Sequence, residues 1–295
     1  MLHWNQIKLF APKELVEEWS DIILTTGASA VTLHDKDKQA IFEPLPGDSP
    51  LWEQVQIIGL YDANINIDLI KEQLYEHLDK NIVLQVETIA EQDWQNTWKA
   101  DLKPMQFGNK LWICPSWCEI PEPNAINIIL DPGMAFGTGT HPTTALCLEW
   151  IAENINPLDT VLDFGCGSGI LGIAAAKVGA SMVHCVDCDP QALLSTQDNA
   201  SRNSILAQQL CVYEPHKLPN TLQVETVLAN ILANPLVELA DTLAHYVKPA
   251  GSIVLSGVLI NQAEDIITAY SQWFEQLNIT TKDEWVRISG TKKCK

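Results

Sequence analysis

The feature that most constrains this chain is a glycine-rich bend that follows an apolar strand. The segment is VLDFGCGSGILG, residues 161–172. Glycine lets the main chain turn sharply and lets a ligand approach where a Cβ would block it. The first N–H groups of the helix after the bend have no partners within that helix, so they are available to such a ligand. The segment therefore predicts a strand, a ligand-binding bend and a helix, in that order.

Strands and helices alternate around this bend from about Leu146 onward. The predicted strands are Thr160–Phe164, Met182–Asp187, Leu210–Glu214, Thr226–Ala229 and Ile253–Gly257, and the predicted helices end at Val178 or span Pro190–Asn203 and Leu236–Val247, with a turn over Lys248–Ser252. Such alternation predicts a parallel sheet with helices on both faces. Ligands bind these sheets in the crevice at the carboxyl ends of the strands.

Two interpretations of the bend compete. Residues 167–172 fit the G-x-G-x-x-G dinucleotide fingerprint, and Asp187 follows Gly167 by 20 residues, where a ribose-binding acid is expected. The alternative unit is Asp163-x-Gly165-x-Gly167-x-Gly169. A pyrophosphate is best held by N–H groups with no anion beside them, whereas a carboxylate at Asp163 suits the amino group and sulfonium of S-adenosylmethionine. The acid at Asp163 therefore favours the methyl donor over a dinucleotide.

Two further strand ends carry candidate binding residues. Asp187 ends the second strand, where its carboxylate can accept hydrogen bonds from both hydroxyls of a ribose. Asp189 stands just before Pro190 and is better explained as a helix N-cap. Asn230 follows the strand Thr226–Ala229, and its amide offers both a donor and an acceptor. An acceptor is what a target amine needs to turn its lone pair toward a methyl group.

The segment Leu130–Thr144 holds three glycines within seven residues, enough to wrap a ligand closely. Thr140 or His141 is placed to cap the next helix, which has Pro142 in its first turn. For His141 we favour capping or packing over a role as a base. The motif Cys185–Cys188 has no second Cys pair or spaced His pair to complete a zinc site, so we expect no metal.

The first ninety residues predict a small ferredoxin-like α+β domain. The predicted order is β-α-β-β-α-β, and its elements are His3–Phe10, Pro12–Thr26, Ala28–His34, Gln54–Tyr61, Ile65–Leu78 and Ile82–Ile89. Glu91–Ala100 predicts a short connecting helix, and Leu111–Pro115 and Ile126–Asp131 predict short strands. We therefore divide the chain into a first domain at 1–90, a linker at 91–110 and a second domain at 111–295.

Composition narrows the possible partners. Lys and Arg total 18 against 37 Asp and Glu in 295 residues, and residues 1–100 hold 7 lysines against 17 acids. Binding of nucleic acid needs clustered cations, which are missing here, while an acidic surface attracts basic partners. No apolar run reaches the roughly 18 residues of a membrane span, and no secretory signal is evident. We expect a cytoplasmic monomer with free thiols that touches neither membrane nor nucleic acid directly.

Taken in order, the four segments around Leu130–Thr144, Gly165, Asp187 and Asn230 resemble the methyltransferase family that modifies the eleventh protein of the large ribosomal subunit. The resemblance covers nearly the whole chain and includes Phe42–Gly47 and Leu111–Trp117. It implies a class I methyltransferase (Rossmann-like) fold with a seven-stranded, mostly parallel sheet. It also implies one antiparallel strand near the end, for which Trp285–Ser289 is well placed.

The resemblance further implies the activity and the residues that serve it. The donor is S-adenosylmethionine, and the donor-binding positions fall on Thr144, Gly165, Asp187 and Asn230, to which the residue pattern of the bend adds Asp163 and Gly167. Methyl groups go to lysine side chains and an N-terminal amine of the basic ribosomal protein, which the domain at 1–90 recognises. Asn230 is the predicted catalytic residue. The alternatives are a dinucleotide-dependent oxidoreductase, a nucleic-acid methyltransferase, and a ribosome-assembly module without activity.

Overall fold

A computed structural model describes residues 3–36, 51–79, 81–90, 102–131 and 139–294. They fall into two compact units, one within residues 1–101 and the other within 102–295. The predicted helix Glu91–Ala100 lies outside the described residues. Within those ranges, no helix combines the length and the low polarity that crossing a membrane demands.

The first unit is a four-stranded antiparallel sheet with two helices. Its elements are β1 (His3–Pro12), α1 (Val16–Thr25), β2 (Ala30–Asp35), β3 (Gln54–Asp62), α2 (Ile67–His77) and β4 (Gln85–Ala90). The strand order β2-β3-β1-β4 confirms the predicted ferredoxin-like topology. A 3-10 turn at Lys13–Leu15 replaces the first turn of the predicted helix at Pro12. Alternate strand residues such as Ile7, Leu9, Val55 and Ile57 form the buried core.

The second unit is larger and begins with a small sheet of three strands. These are β5 (Met105–Phe107), β6 (Leu111–Cys114) and β7 (Ile126–Ile129). The pairing of β5 with β6 is antiparallel and that of β6 with β7 is parallel. The sequence-based division places residues 102–110 in the linker, whereas in the structure they cluster with the second unit.

The remaining elements are the strands of a seven-stranded sheet and the helices that accompany them. They are α3 (Pro142–Asn154), β8 (Thr160–Phe164), α4 (Ile170–Val178), β9 (Met182–Val186), α5 (Pro190–Arg202), β10 (Leu210–Tyr213), β11 (Val224–Asn230), α6 (Ala233–Glu238), α7 (Ala240–Tyr246), β12 (Val247–Leu259), α8 (Ala263–Tyr270), β13 (Phe274–Lys282) and β14 (Trp285–Lys292). The strand order is β10-β9-β8-β11-β12-β14-β13. Only β14 runs against its neighbours, which confirms the antiparallel strand predicted at Trp285–Ser289.

Both faces of this sheet are buried. Adjacent residues of β8 point to opposite faces, as Val161 and Leu162 do, and these two residues belong to different apolar clusters. The order of strands reverses between β8 and β11, because β9 and β10 lie on one side of β8 and β12 lies beyond β11. That reversal opens the crevice in which such sheets bind ligands.

The prediction of one helix over Leu236–Val247 is wrong. The structure has α6 and α7 with Leu239 between them, and Val247 already belongs to β12. Close to this break, the Leu236 carbonyl accepts the hydroxyl of Tyr270 at 2.8 Å. The break therefore lies beside a contact from a distant part of the chain.

The predicted turn at Lys248–Ser252 lies inside β12. Its pairing with β11 shifts register there, and Ala250 has a φ of 62°. The strand is therefore irregular at its start and regular over the predicted Ile253–Gly257.

Candidate active site

Three strand ends of the larger sheet meet at one cavity. Gly165 follows β8, Asp187 follows β9, and Asn230 is the last residue of β11; all three line the cavity. Its volume is about 730 Å³, within the range of small-molecule sites. Most other lining side chains are apolar, among them Phe164, Ile231, Leu232, Pro235, Leu239 and Trp285. A few polar groups in an apolar wall are typical of a site that orients its ligand.

The glycine-rich bend is fixed by hydrogen bonds to the neighbouring strand. The N–H groups of Gly165 and Cys166 both donate to the carbonyl of Val186, at 2.7 and 3.0 Å. The N–H of Gly167 donates to Oδ2 of Asp187 at 2.9 Å. The bend therefore keeps its shape through contacts with β9 and with the acid that ends that strand.

The carboxylate of Asp187 is held in place and still has acceptor capacity. Its Oδ1 accepts the N–H of Asp189 at 3.0 Å, and its Oδ2 accepts the N–H of Gly167. A carboxylate offers about four acceptor positions, so two remain for a diol. Asp189 caps α5 through the N–H of Gln191 at 2.9 Å, which confirms the capping role predicted for it.

Asp163 lies beneath the bend and does not line the cavity. Its Oδ2 accepts the N–H of Gly172 at 2.9 Å, and its Oδ1 has no partner among the described residues. Burial raises the pKa of Asp163 to about 7, although the Gly172 hydrogen bond opposes this rise. The donor-binding role of Asp163 stays a prediction, and the structure places this residue behind the bend rather than in the cavity wall. The side chain supports the bend from below.

A side-chain hydrogen bond connects Asn230 with Thr144, and both residues line the cavity. Nδ2 of Asn230 donates to Oγ1 of Thr144 at 3.3 Å, and Thr144 is fully buried in α3. With the amide nitrogen directed at Thr144, Oδ1 is the atom left for a ligand. It is buried and has no partner within the part of the chain that the structure describes. A buried acceptor of this kind is costly unless something binds to it.

His141 caps α3, as the sequence predicts. Its Nδ1 lies 3.4 Å from the N–H of Thr143 and 2.7 Å from the Thr143 hydroxyl. Its ring meets Trp285 edge to face, with centroids 4.8 Å apart. Burial lowers the pKa of His141, against a smaller effect of Glu284, so the ring is neutral at pH 7. The Pro132–Thr138 part of this segment lies outside the described residues.

The residues of the cavity wall that sequence reasoning missed include Ile231, Gly257 and Trp285. Trp285 was recognised only as part of a strand. Gly257 interrupts the apolar run of β12, and an isolated glycine in a strand is the usual sign of a bulge or of a close main-chain approach. The sequence therefore does hold a signal for Gly257.

The cavity combines hydrogen-bond acceptors with a glycine-rich bend, an arrangement that suits a nucleoside. An acid with spare acceptors, a glycine bend without Cβ atoms and an unpartnered amide oxygen stand around one apolar space. All eight cysteines are free thiols, and no three metal-ligating side chains cluster within the described ranges. The fold and the site together define a class I methyltransferase.

The chain belongs to the family described as ribosomal protein L11 methyltransferase (PrmA), whose sequence model matches residues 3–293. A protein named ribosomal protein L11 methyltransferase from Vibrio parahaemolyticus is 49% identical over 98% of this chain and 99% of its own length. One of the same name from Aliivibrio fischeri is 48% identical with the same coverage. The crystal structure of a ribosomal protein L11 methylase from Lactobacillus delbrueckii subsp. bulgaricus superposes with a TM-score of 0.59 and 28% identity, covering 65% of this chain and all of that one.

Proposed function

We propose that this chain transfers methyl groups from S-adenosylmethionine to amines of ribosomal protein L11, at lysine side chains and at the N-terminal α-amino group. The observation that carries the proposal is the Asn230 amide, whose unpartnered Oδ1 belongs to the same cavity wall as Gly165 and Asp187. The relatives from Vibrio and Aliivibrio are named as methyltransferases of ribosomal protein L11. Such a substrate makes the cytoplasm the place of action.

The donor lies along the bend in this proposal. S-adenosylmethionine supplies an activated methyl group on a positively charged sulfur. Asp187 accepts the two ribose hydroxyls with the acceptor positions that the main chain leaves unused. Gly165 and Gly167 give the donor a path free of side chains. Thr144 acts through Asn230, whose amide nitrogen it holds.

The acceptor amine has to lose a proton before it attacks. Neutralising a free lysine at pH 7 costs about 4.6 kcal/mol, and an α-amine costs only about 1 kcal/mol. The apolar walls of the cavity lower that cost, because a desolvated ammonium has a lowered pKa. Oδ1 of Asn230 then accepts an N–H of the neutral amine and directs its lone pair along the line of attack. We therefore assign no general base, and the proton leaves to bulk water.

The substitution Asn230→Ala tests this role. We expect kcat to fall by about 100-fold, the usual scale for lost orientation of reacting groups, with the affinity for S-adenosylhomocysteine within about threefold. The matched control is Asn234→Ala, an exposed asparagine of α6, which should keep full turnover. Full turnover in Asn230→Ala with unchanged donor affinity would contradict the assignment.

A binding measurement separates the methyl donor from a dinucleotide. Calorimetry should give saturable binding of S-adenosylmethionine and none of NAD. Asp187→Ala should abolish the binding, because both the ribose contact and the Gly167 hydrogen bond are lost. Tight NAD binding would instead support the alternative of a dinucleotide-dependent oxidoreductase.

In this proposal the first unit recognises L11, as the family resemblance implies for the domain at 1–90 that precedes the linker at 91–110. Both of its helices present acidic outer faces, made of the exposed residues Glu17, Glu18 and Asp21 on α1 and Asp68, Glu72 and Glu76 on α2. A basic partner is drawn to such a surface, and salt screens the attraction. The KM for L11 should therefore rise with ionic strength, while kcat stays constant.

A charge-matched pair of variants locates this effect. Glu72→Gln with Glu76→Gln should raise the KM for L11 by about threefold or more at low salt. Glu264→Gln with Asp265→Asn removes the same charge from exposed positions of α8 in the second unit and should change KM less. Equal changes in the two variants would argue against recognition by the first unit.

A further inference from the structure

We propose that Gly257 is a positioning residue for the Asn230 amide. Because Gly257 has no Cβ, the main chain of Ile231 can lie directly against it, and this placement determines the position of Asn230. The inference rests on the proposed role of Asn230 as the group that orients the acceptor amine. Gly257 belongs to β12, and Ile231 directly follows Asn230 in the chain. Both residues also line the cavity.

The contact at Gly257 is with main-chain atoms. A Cβ placed on Gly257 would lie 2.2 Å from the Ile231 carbonyl oxygen, 2.7 Å from its carbon and 3.1 Å from its nitrogen. The φ of Gly257 is +85°, a region that other residues rarely adopt. Since the Ile231 nitrogen is bonded to the carbonyl carbon of Asn230, a displaced Ile231 peptide moves Asn230 with it.

A second glycine touches the same residue in a different way. A Cβ on Gly165 would lie 2.3 Å from Cγ2 of Ile231, and the next atom, Cβ of Ile231, is 3.8 Å away. That contact involves one methyl group of the side chain. Ile231 therefore packs between two glycines, with its side chain against Gly165 and its main chain against Gly257.

A bulge in β12 places Gly257 there. Asn230 pairs with Ser256 in the parallel ladder between β11 and β12, and the pairing of β12 with β14 shifts between Leu255 and Val258. The extra residue of a bulge bends the strand and redirects the side chains next to it. Ser256 is fully buried and donates to the carbonyl of Val286 at 2.9 Å, which fixes the bulge against β14.

The primary test compares two glycine substitutions. Gly257→Ala should lower kcat by about 10-fold or more, because the amide is shifted from its productive place, and should leave the affinity for S-adenosylhomocysteine within about threefold. Gly179→Ala is the control: Gly179 has a φ of +135° at the end of α4, and its nearest atom would be 3.7 Å from the new Cβ. It carries backbone strain without the clash and should keep its kcat.

A double substitution shows whether Gly257 acts through Asn230. In an Asn230→Ala background, Gly257→Ala should reduce kcat no further than about twofold, because the group it positions is gone. Additive losses would overturn the inference, as would full turnover in a folded Gly257→Ala protein. If Asn230→Ala itself keeps full turnover, the proposed role of Asn230 fails, and this failure is distinct from a failure of the role of Gly257.

Ser256→Ala decides the matter should Gly257→Ala not fold. It loosens the bulge without adding a Cβ at 257, so kcat should fall by about threefold with unchanged donor affinity. Ser181→Ala is its control, since Ser181 also donates to a main-chain carbonyl, that of Leu158 at 2.9 Å, and does not line the cavity. Equal kcat values for the two serine variants would overturn the inference.

Discussion

Replacing Asp163 by asparagine should change how the stability of the second unit depends on pH. In the folded chain, burial raises the pKa of Asp163 to about 7, while in the unfolded chain an aspartate titrates near 3.9. Between these two values the folded state holds a proton that the unfolded state has released. The free energy of unfolding therefore falls as pH rises through this window, and the loss is complete above pH 7.

The size of this effect follows from the shift. A difference of about three pKa units corresponds to about 4 kcal/mol, of which about 3 kcal/mol falls between pH 5 and pH 8. Asparagine has no charge to bury, and its oxygen can still accept the N–H of Gly172. Over this pH range, the free energy of unfolding of Asp163→Asn should therefore fall by about 3 kcal/mol less than that of the wild type.

Hydrogen exchange of peptides from the seven-stranded sheet measures this difference, because it reports the opening of the second unit alone. Wild type and Asp163→Asn are compared at each pH from 5 to 8. Asp198→Asn, which changes an exposed carboxylate on α5, is the control and should parallel the wild type. Parallel curves for wild type and Asp163→Asn would refute a buried, proton-binding Asp163.

Two further substitutions test contacts away from the cavity. Burial opposes the charge of Glu225, but hydrogen bonds from Lys248 and Thr160 lower its pKa to about 2. This stabilisation is present above about pH 4.5 and is lost as pH falls toward 2, so Glu225→Gln should destabilise by about 1 kcal/mol at pH 7 and progressively less in acid, as followed by urea unfolding. Asn203 is buried and bonds both main-chain groups of a β7 residue at 2.8 Å. Asn203→Ala should lose about 2 to 3 kcal/mol in a thermal melt, and the exposed Asn154→Ala should lose far less.

The parallel sheet could be predicted because its strands are short apolar runs closed by glycine, proline or acid. Residues 160–187 show this best, since the strand ends, the bend and the Pro190 helix start all follow from local chemistry. The break at Leu239 could not be predicted, because the local pattern is helical on both sides of it and the Tyr270 hydroxyl that bonds Leu236 nearby is 34 residues away. β13 and α8 were likewise missed.

The site divides in the same way. Gly165, Asp187 and Asn230 come directly after strands, so their meeting at one edge follows from the topology. Thr144 was named through resemblance alone, and its bond to Asn230 joins residues 86 apart. The position of Asp163 beneath the bend depends on the path of residues 165–172, which returns the N–H of Gly172 to its carboxylate. Such contacts are determined by tertiary packing and leave no periodic pattern in the sequence.

The contacts of Ile231 with Gly165 and Gly257 also limit which acceptor substrates this fold could come to use. Gly165, which follows β8, and Gly257 in β12 leave no room for a Cβ beside Ile231, so a larger residue at either position would press on it. Altered selectivity is expected instead from changes of cavity-lining side chains such as Leu232 and Trp285. Directed evolution of this enzyme toward foreign amines should accumulate changes at those two positions and spare Gly165 and Gly257.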